Sequence, residues 1–110
     1  MEFKELKDKN NREIINQSLD KLVRAKTQTW LDLGIDIDKD YISDMCSLMI
    51  DIFNLYADNR LDAFYCFALY NSKYSNRMLG TLWFYGLLDI DEKEMTIDIT
   101  SSTFKYLMGK

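Results

Sequence analysis

The chain has 110 residues, 47% of them hydrophobic, with 14 Lys and Arg against 18 Asp and Glu, a net charge of −4, no histidine and no proline. The length fits one domain spanning 1–110, and the aromatic content excludes a disordered chain. With no histidine, Ser–His and Cys–His nucleophiles are excluded, and neither a catalytic residue nor a cofactor is expected.

The N-terminal dozen residues are charged throughout, with no apolar h-region of the signal-peptide kind, and a frayed end or a leading turn is expected there. No run approaches the ~18 apolar residues of a membrane span. Charge is unevenly spread: residues 1–31 carry +2, residues 32–62 carry −6, and residues 63–110 balance. Every acid in the middle block is Asp. Such a field repels phosphate backbones and attracts basic surfaces.

Apolar spacing predicts a helix from Asn11 to Leu33, with Ile15, Leu19, Leu22, Val23 and Trp30 on one side. Asn10 and Glu13 resemble a capping box, and Gly34 suits the left-handed stop, with Ile35 able to pack back. Lys21, Arg24 and Lys26, beside Asp20, read as a solvated face. A second helix is predicted from Lys39 to Asp58. Its apolar stripe is Ile42, Met45, Met49, Ile52, Phe53 and Tyr56, widened by Leu48 and Leu55. Asp44, Ser47, Asp51, Asn54 and Asp58 form the opposite polar line. Before it, Asp36, Asp38 and Asp40 have the carboxylate spacing that opens an EF-hand. Tyr41 stands where that loop needs glycine, and Ser47 where it needs a bidentate Glu. The stretch therefore reads as an acidic linker in which Asp38 or Asp40 caps the helix.

The aromatic run Leu61 to Tyr70 favours a strand over a short helix. Asn71 to Arg77 reads as a polar loop, and Leu79 to Ile90 as a long strand. Asp91 to Glu94 make a turn, and Met95 to Thr100 a second strand with Met95, Ile97 and Ile99 on one face. Asp89, Asp91 and Glu92 are explained by the turn. Ser101 or Ser102 caps a short terminal helix carrying Phe104, Leu107 and Met108. The fold class is α+β: two N-terminal helices packed on a small antiparallel meander or hairpin, with a short C-terminal helix.

Thr81 to Leu88 is apolar on both faces of the expected strand, Leu82, Phe84 and Leu88 against Trp83, Tyr85 and Leu87. A strand of that kind needs a second cover. Tyr65, Trp83 and Tyr85 are the expected anchors for a partner, being of residue types enriched at hot spots. Cys46 and Cys66 lie in apolar runs and read as buried, reduced thiols in a cytoplasmic protein.

The functional expectation is a small acidic binding protein with the profile of bacterial immunity proteins, antitoxins and phage-encoded inhibitors. It would recognise the basic surface of another protein, without contacting nucleic acid or membrane directly. Asp36, Asp38, Asp40, Asp44, Asp51 and Asp58 would steer the encounter, with Asp89, Asp91 and Glu92 as a second acidic cluster. The alternative is a self-associating assembly subunit, a homodimer through the sheet. A winged-helix-like regulator, which requires a helical 61–72, is disfavoured by the acidic turn Asp91 to Glu94 and the few cations.

Overall fold

The structure is a computed structural model that describes residues 1–34, 39–60, 62, 66–67 and 76–109, with the backbone alone at Leu31 and Asn76. It is α+β, with four described helices of four residues or more in α form and one antiparallel hairpin: α1 (Arg12–Asp32), α2 (Lys39–Ala57), α3 (Asn76–Phe84), β1 (Leu88–Asp91), β2 (Thr96–Ile99) and α4 (Ser101–Leu107).

Helices α1 and α2 form an antiparallel pair. The pairing is marked by contacts that run in opposite directions along the two helices: Arg12 with Asp58, Asn16 with Asn54, and the Cys46 thiol with the Asp20 carbonyl. Ile15, Leu19, Leu22 and Val23 of α1 face Ile42, Met45, Leu48, Met49, Ile52 and Phe53 of α2, all buried in one core. Trp30 is only half-buried. Thr27 is buried as well, and its hydroxyl donates to the Val23 carbonyl at 3.1 Å. Gly34 stops α1 at φ +77°, as the sequence indicated. Asn59 does the same for α2 at φ +57°: its N–H reaches the Tyr56 carbonyl, and the Arg60 N–H reaches that of Leu55.

The start of α1 differs from the expected capping box. Asn10 lies inside a 3-10 turn (Lys9–Asn11), and the cap is Asp8, whose carboxylate accepts from the Asn10 N–H at 2.9 Å. Residues Phe3–Lys7 form an earlier 3-10 turn that buries Leu6 completely. The leading segment is thus part of the core.

The largest correction concerns the expected strand Leu79 to Ile90. Residues Asn76–Phe84 are the helix α3, and only Leu88–Asp91 are extended. Met78, Leu79, Thr81 and Leu82 are buried, while Arg77, Trp83 and Phe84 are exposed. Burial at both odd and even positions does not fit a strand with one covered face. At about 100° per residue it defines one arc of a helix. Gly86 ends this helix at φ +74°, with its N–H on the Trp83 carbonyl and the Leu87 N–H on that of Leu82, both at 2.9 Å. Leu82 and Leu87 are both buried, so apolar contact reinforces the stop. Asn76 and Arg77, expected in a loop, belong to α3. Cys66 and Phe67, expected in a strand, are helical, and the Cys66 N–H donates to the Asp62 carbonyl at 2.9 Å. The remainder of 61–75, on which the winged-helix reading depended, lies outside the described residues.

The hairpin holds as expected, in the register Leu88↔Ile99, Asp89↔Asp98, Ile90↔Ile97, Asp91↔Thr96. Ile97 is buried and Ile99 half-buried, but Met95 sits in the turn at φ +56°, exposed, rather than in the second strand. Thr100 caps α4 in place of either serine. Its hydroxyl accepts from the Thr103 N–H and donates to the Gly86 carbonyl, and the buried Thr103 hydroxyl donates to the Leu87 carbonyl at 3.0 Å. These bonds staple α4 to the turn after α3.

Candidate partner-binding surface

The α1–α2 pair has two chemically different ends. At the connection end, α3 meets α2 and the turn after it meets α1: the Arg77 guanidinium lies over the Tyr41 ring at 5.7 Å, and the Tyr85 ring meets Trp30 at 5.4 Å. The Tyr85 hydroxyl is 3.4 Å from that of Thr29, and Phe84 packs edge-on against Tyr85 at 5.4 Å. Yet Phe84 remains 73% exposed and Trp83 54%. Leu33, one turn beyond Trp30, is also exposed.

This patch follows from the helix. With Met78, Leu79 and Leu82 turned inward, Trp83 and Phe84 fall on the outer side of α3, on either side of Gly80. Two large aromatics and a glycine make a raised surface with a shallow saddle, on a rigid element. Next to it, Leu22, Lys26, Tyr85, Gly86 and Tyr106 border a pocket of about 260 Å³. Large exposed aromatics on a rigid support are the usual anchors of protein–protein contacts.

The acidic residues distribute unevenly around this surface. Asp40 stands in the first turn of α2, at the patch end, with Asp32 at the end of α1. Asp44 and Asp51 are exposed along α2. Asp58 lies beyond the far end of the helix, about 27 Å from Asp40 at 1.5 Å per residue. It is also engaged: Arg12 donates to it at 2.8 Å, and this bond is the chief reason its carboxyl is held below the usual carboxylate range. Asp89 is exposed on β1 directly opposite Asp98, an arrangement of like charges that weakens the hairpin. Asp91 accepts from the Lys93 and Glu94 N–H groups at 3.0 and 3.1 Å and so shapes the turn, in which Glu92 is exposed. Asp36, Asp38 and Tyr65 lie outside the described residues. Of the expected anchors, Trp83 is at the surface and Tyr85 packs between Trp30 and Phe84.

Sequence reasoning missed Phe84 as a surface residue, because an expected strand places it beside Leu82 and Leu88; Gly86 as a helix stop is the signal that finds it.

Burial, followed by the nearby Asp20, pushes the Cys46 thiol up to about 12, and burial also pushes up Cys66. Both are buried free thiols, and a thiol that stays protonated is a poor nucleophile. Among the described residues, no three His, Cys, Asp or Glu gather as metal ligands, and no helix is long and apolar enough to cross a membrane. The chain matches no family model, no curated protein and no solved structure.

Proposed function

We propose that this chain acts by binding another protein, as an inhibitor of the immunity, antitoxin or phage-inhibitor kind, and that its partner presents a basic surface. The observation that carries this reading is the exposed pair Trp83 and Phe84 on α3, braced by the Trp30–Tyr85 contact. Five of the six charged residues between positions 32 and 44 are Asp, and the described Asp32 and Asp40 stand at the same end of the helical pair as the aromatics. An aromatic centre with an acidic rim favours an apolar anchor site flanked by Lys and Arg on the partner. The acidic rim would speed encounter at low salt, and the aromatics would set the lifetime of the complex. Two buried free thiols suit a reducing compartment, and the cytoplasm is the proposed location.

The test is affinity capture from a lysate of the encoding organism, with wild type and Trp83→Asp baits, across a salt series. A basic protein retained by wild type, lost on the variant and eluted as salt rises supports the reading. Equal retention by both baits, or no retained protein, overturns it. For self-association the relevant surface is α3 rather than a two-faced strand, since Thr81 to Phe84 are helical and only Leu88 of that segment is extended. A concentration-dependent dimer in sedimentation that Trp83→Asp dissolves would reassign the same patch to a second copy.

A further inference from the structure

The end of the helical pair remote from the aromatic patch has the opposite charge. Lys7, Lys9, Arg12 and Arg60 border an open cleft of about 700 Å³ that contains a single carboxylate, Asp58. The cleft therefore carries +3 in a chain of net −4, and the rest of the molecule carries −7. Arg12 is committed to Asp58, and Lys7 donates to the Asn59 side-chain Oδ1 at 2.7 Å while lying 4.7 Å from the Tyr56 ring centre. Lys9 and Arg60 make no ion pair with any described residue, although both are close enough to help depress the Asp58 carboxyl. The backbone fixes the arrangement: the left-handed Asn59 turns the chain after α2 so that Arg60 comes back beside the 3-10 turns carrying Lys7 and Lys9. Four cations held around one carboxylate repel one another unless an anion enters.

We infer that this cleft binds a compact, multiply charged phosphate ligand, the chemistry of a di- or triphosphate. Lys9 and Arg60 supply uncommitted donors, and the Arg12–Asp58 pair forms one wall. An extended nucleic-acid backbone is a poor fit. Beyond the cleft it would run onto a surface of −7, whereas a short polyphosphate places all its charge inside the basic island. Asp58 competes with the ligand for Arg12, which makes it a brake on affinity.

The experiment is calorimetric titration of inorganic tripolyphosphate into the full chain at low ionic strength, using wild type, the Lys9→Gln/Arg60→Gln double variant and Asp58→Asn. Saturable one-to-one binding is expected for wild type. The double variant should bind about tenfold or more weakly, the loss of two charge-assisted contacts, with an unchanged melting temperature because both side chains are exposed. Asp58→Asn should bind more tightly than wild type. No saturable binding, or equal binding by wild type and the double variant, overturns the assignment. Displacement of tripolyphosphate by a single-stranded oligonucleotide at equal phosphate concentration would overturn it in favour of nucleic acid. None of these outcomes depends on the aromatic patch, so the two readings stand or fall separately.

Discussion

Thr103 is a single buried hydroxyl with three jobs. It donates to the Leu87 carbonyl, lies 3.0 Å from the Thr100 hydroxyl, and fills core space through its methyl group. Thr103→Val keeps the shape and leaves the Leu87 carbonyl without this donor, at an expected cost of about 1–2 kcal/mol by urea denaturation. Thr103→Ser, which retains the hydroxyl, should rescue the hydrogen-bond share. Cys46 gives a pH prediction of definite sign. Its folded value is raised to about 12, while an unfolded thiol titrates near ~8.5. The neutral thiol thus stabilises the fold fully below that unfolded value, and the contribution is lost as pH rises toward 12. Cys66 and Tyr56, both raised chiefly by burial, act in the same direction. The urea midpoint should therefore fall between pH 7 and pH 10, and fall less in Cys46→Ala. Iodoacetamide at about pH 8 should leave Cys46 unmodified until urea opens the fold, as read by intact mass.

At the scale of elements, glycine has opposite roles at two places in one helix. Gly80 is inside α3, with open space where a Cβ would stand. Gly80→Ala should stabilise by about 0.5–1 kcal/mol through helix propensity. If a partner settles into the saddle between Trp83 and Phe84, the same change weakens its binding. Gly86 is the left-handed stop, and Gly86→Ala should destabilise by about 1 kcal/mol. The two thermal shifts are expected to have opposite signs. Helices α1 and α2 and the hairpin were legible because their apolar periods, 3.6 and 2, are unambiguous over their lengths. Helix α3 was not, for a physical reason: Thr81, Trp83, Phe84 and Tyr85 are strand-prone residue types, and β-propensity mainly reports fit to a half-buried surface. Trp83 and Phe84 are not half-buried in a sheet here; they are simply exposed, and the decisive positions were Met78, Leu79 and Leu82 with Gly86. The caps were legible only as a class: Asp8 takes the place of Asn10 by accepting from the Asn10 N–H, and Thr100 takes that of Ser101 while also donating to the Gly86 carbonyl. The acidic line on α2 could be read directly, but not that Asp58 would end in a basic cleft, because Lys7 and Lys9 reach it from some fifty residues away in sequence.

Over the whole molecule, the first residues close the core at its far end. Leu6 is fully buried, and Phe3 meets Phe104 edge-on at 5.4 Å while Phe104 also contacts Tyr56 at 5.1 Å. The chain's beginning and its last helix therefore meet over the end of α2. Leu6→Ala should cost about 2–4 kcal/mol, a core-sized loss from a segment whose charge pattern points to a frayed end or a leading turn, and chemical denaturation measures it. The same wide view gives the aromatic patch a practical consequence. The chain contains two tryptophans, Trp30 and Trp83, and both belong to that patch. The protein's intrinsic fluorescence is therefore a local signal, and it reports on the surface proposed to bind a partner. Emission from Trp83 should be that of an indole in water, and any molecule that covers the patch should shift it to the blue without a label being attached.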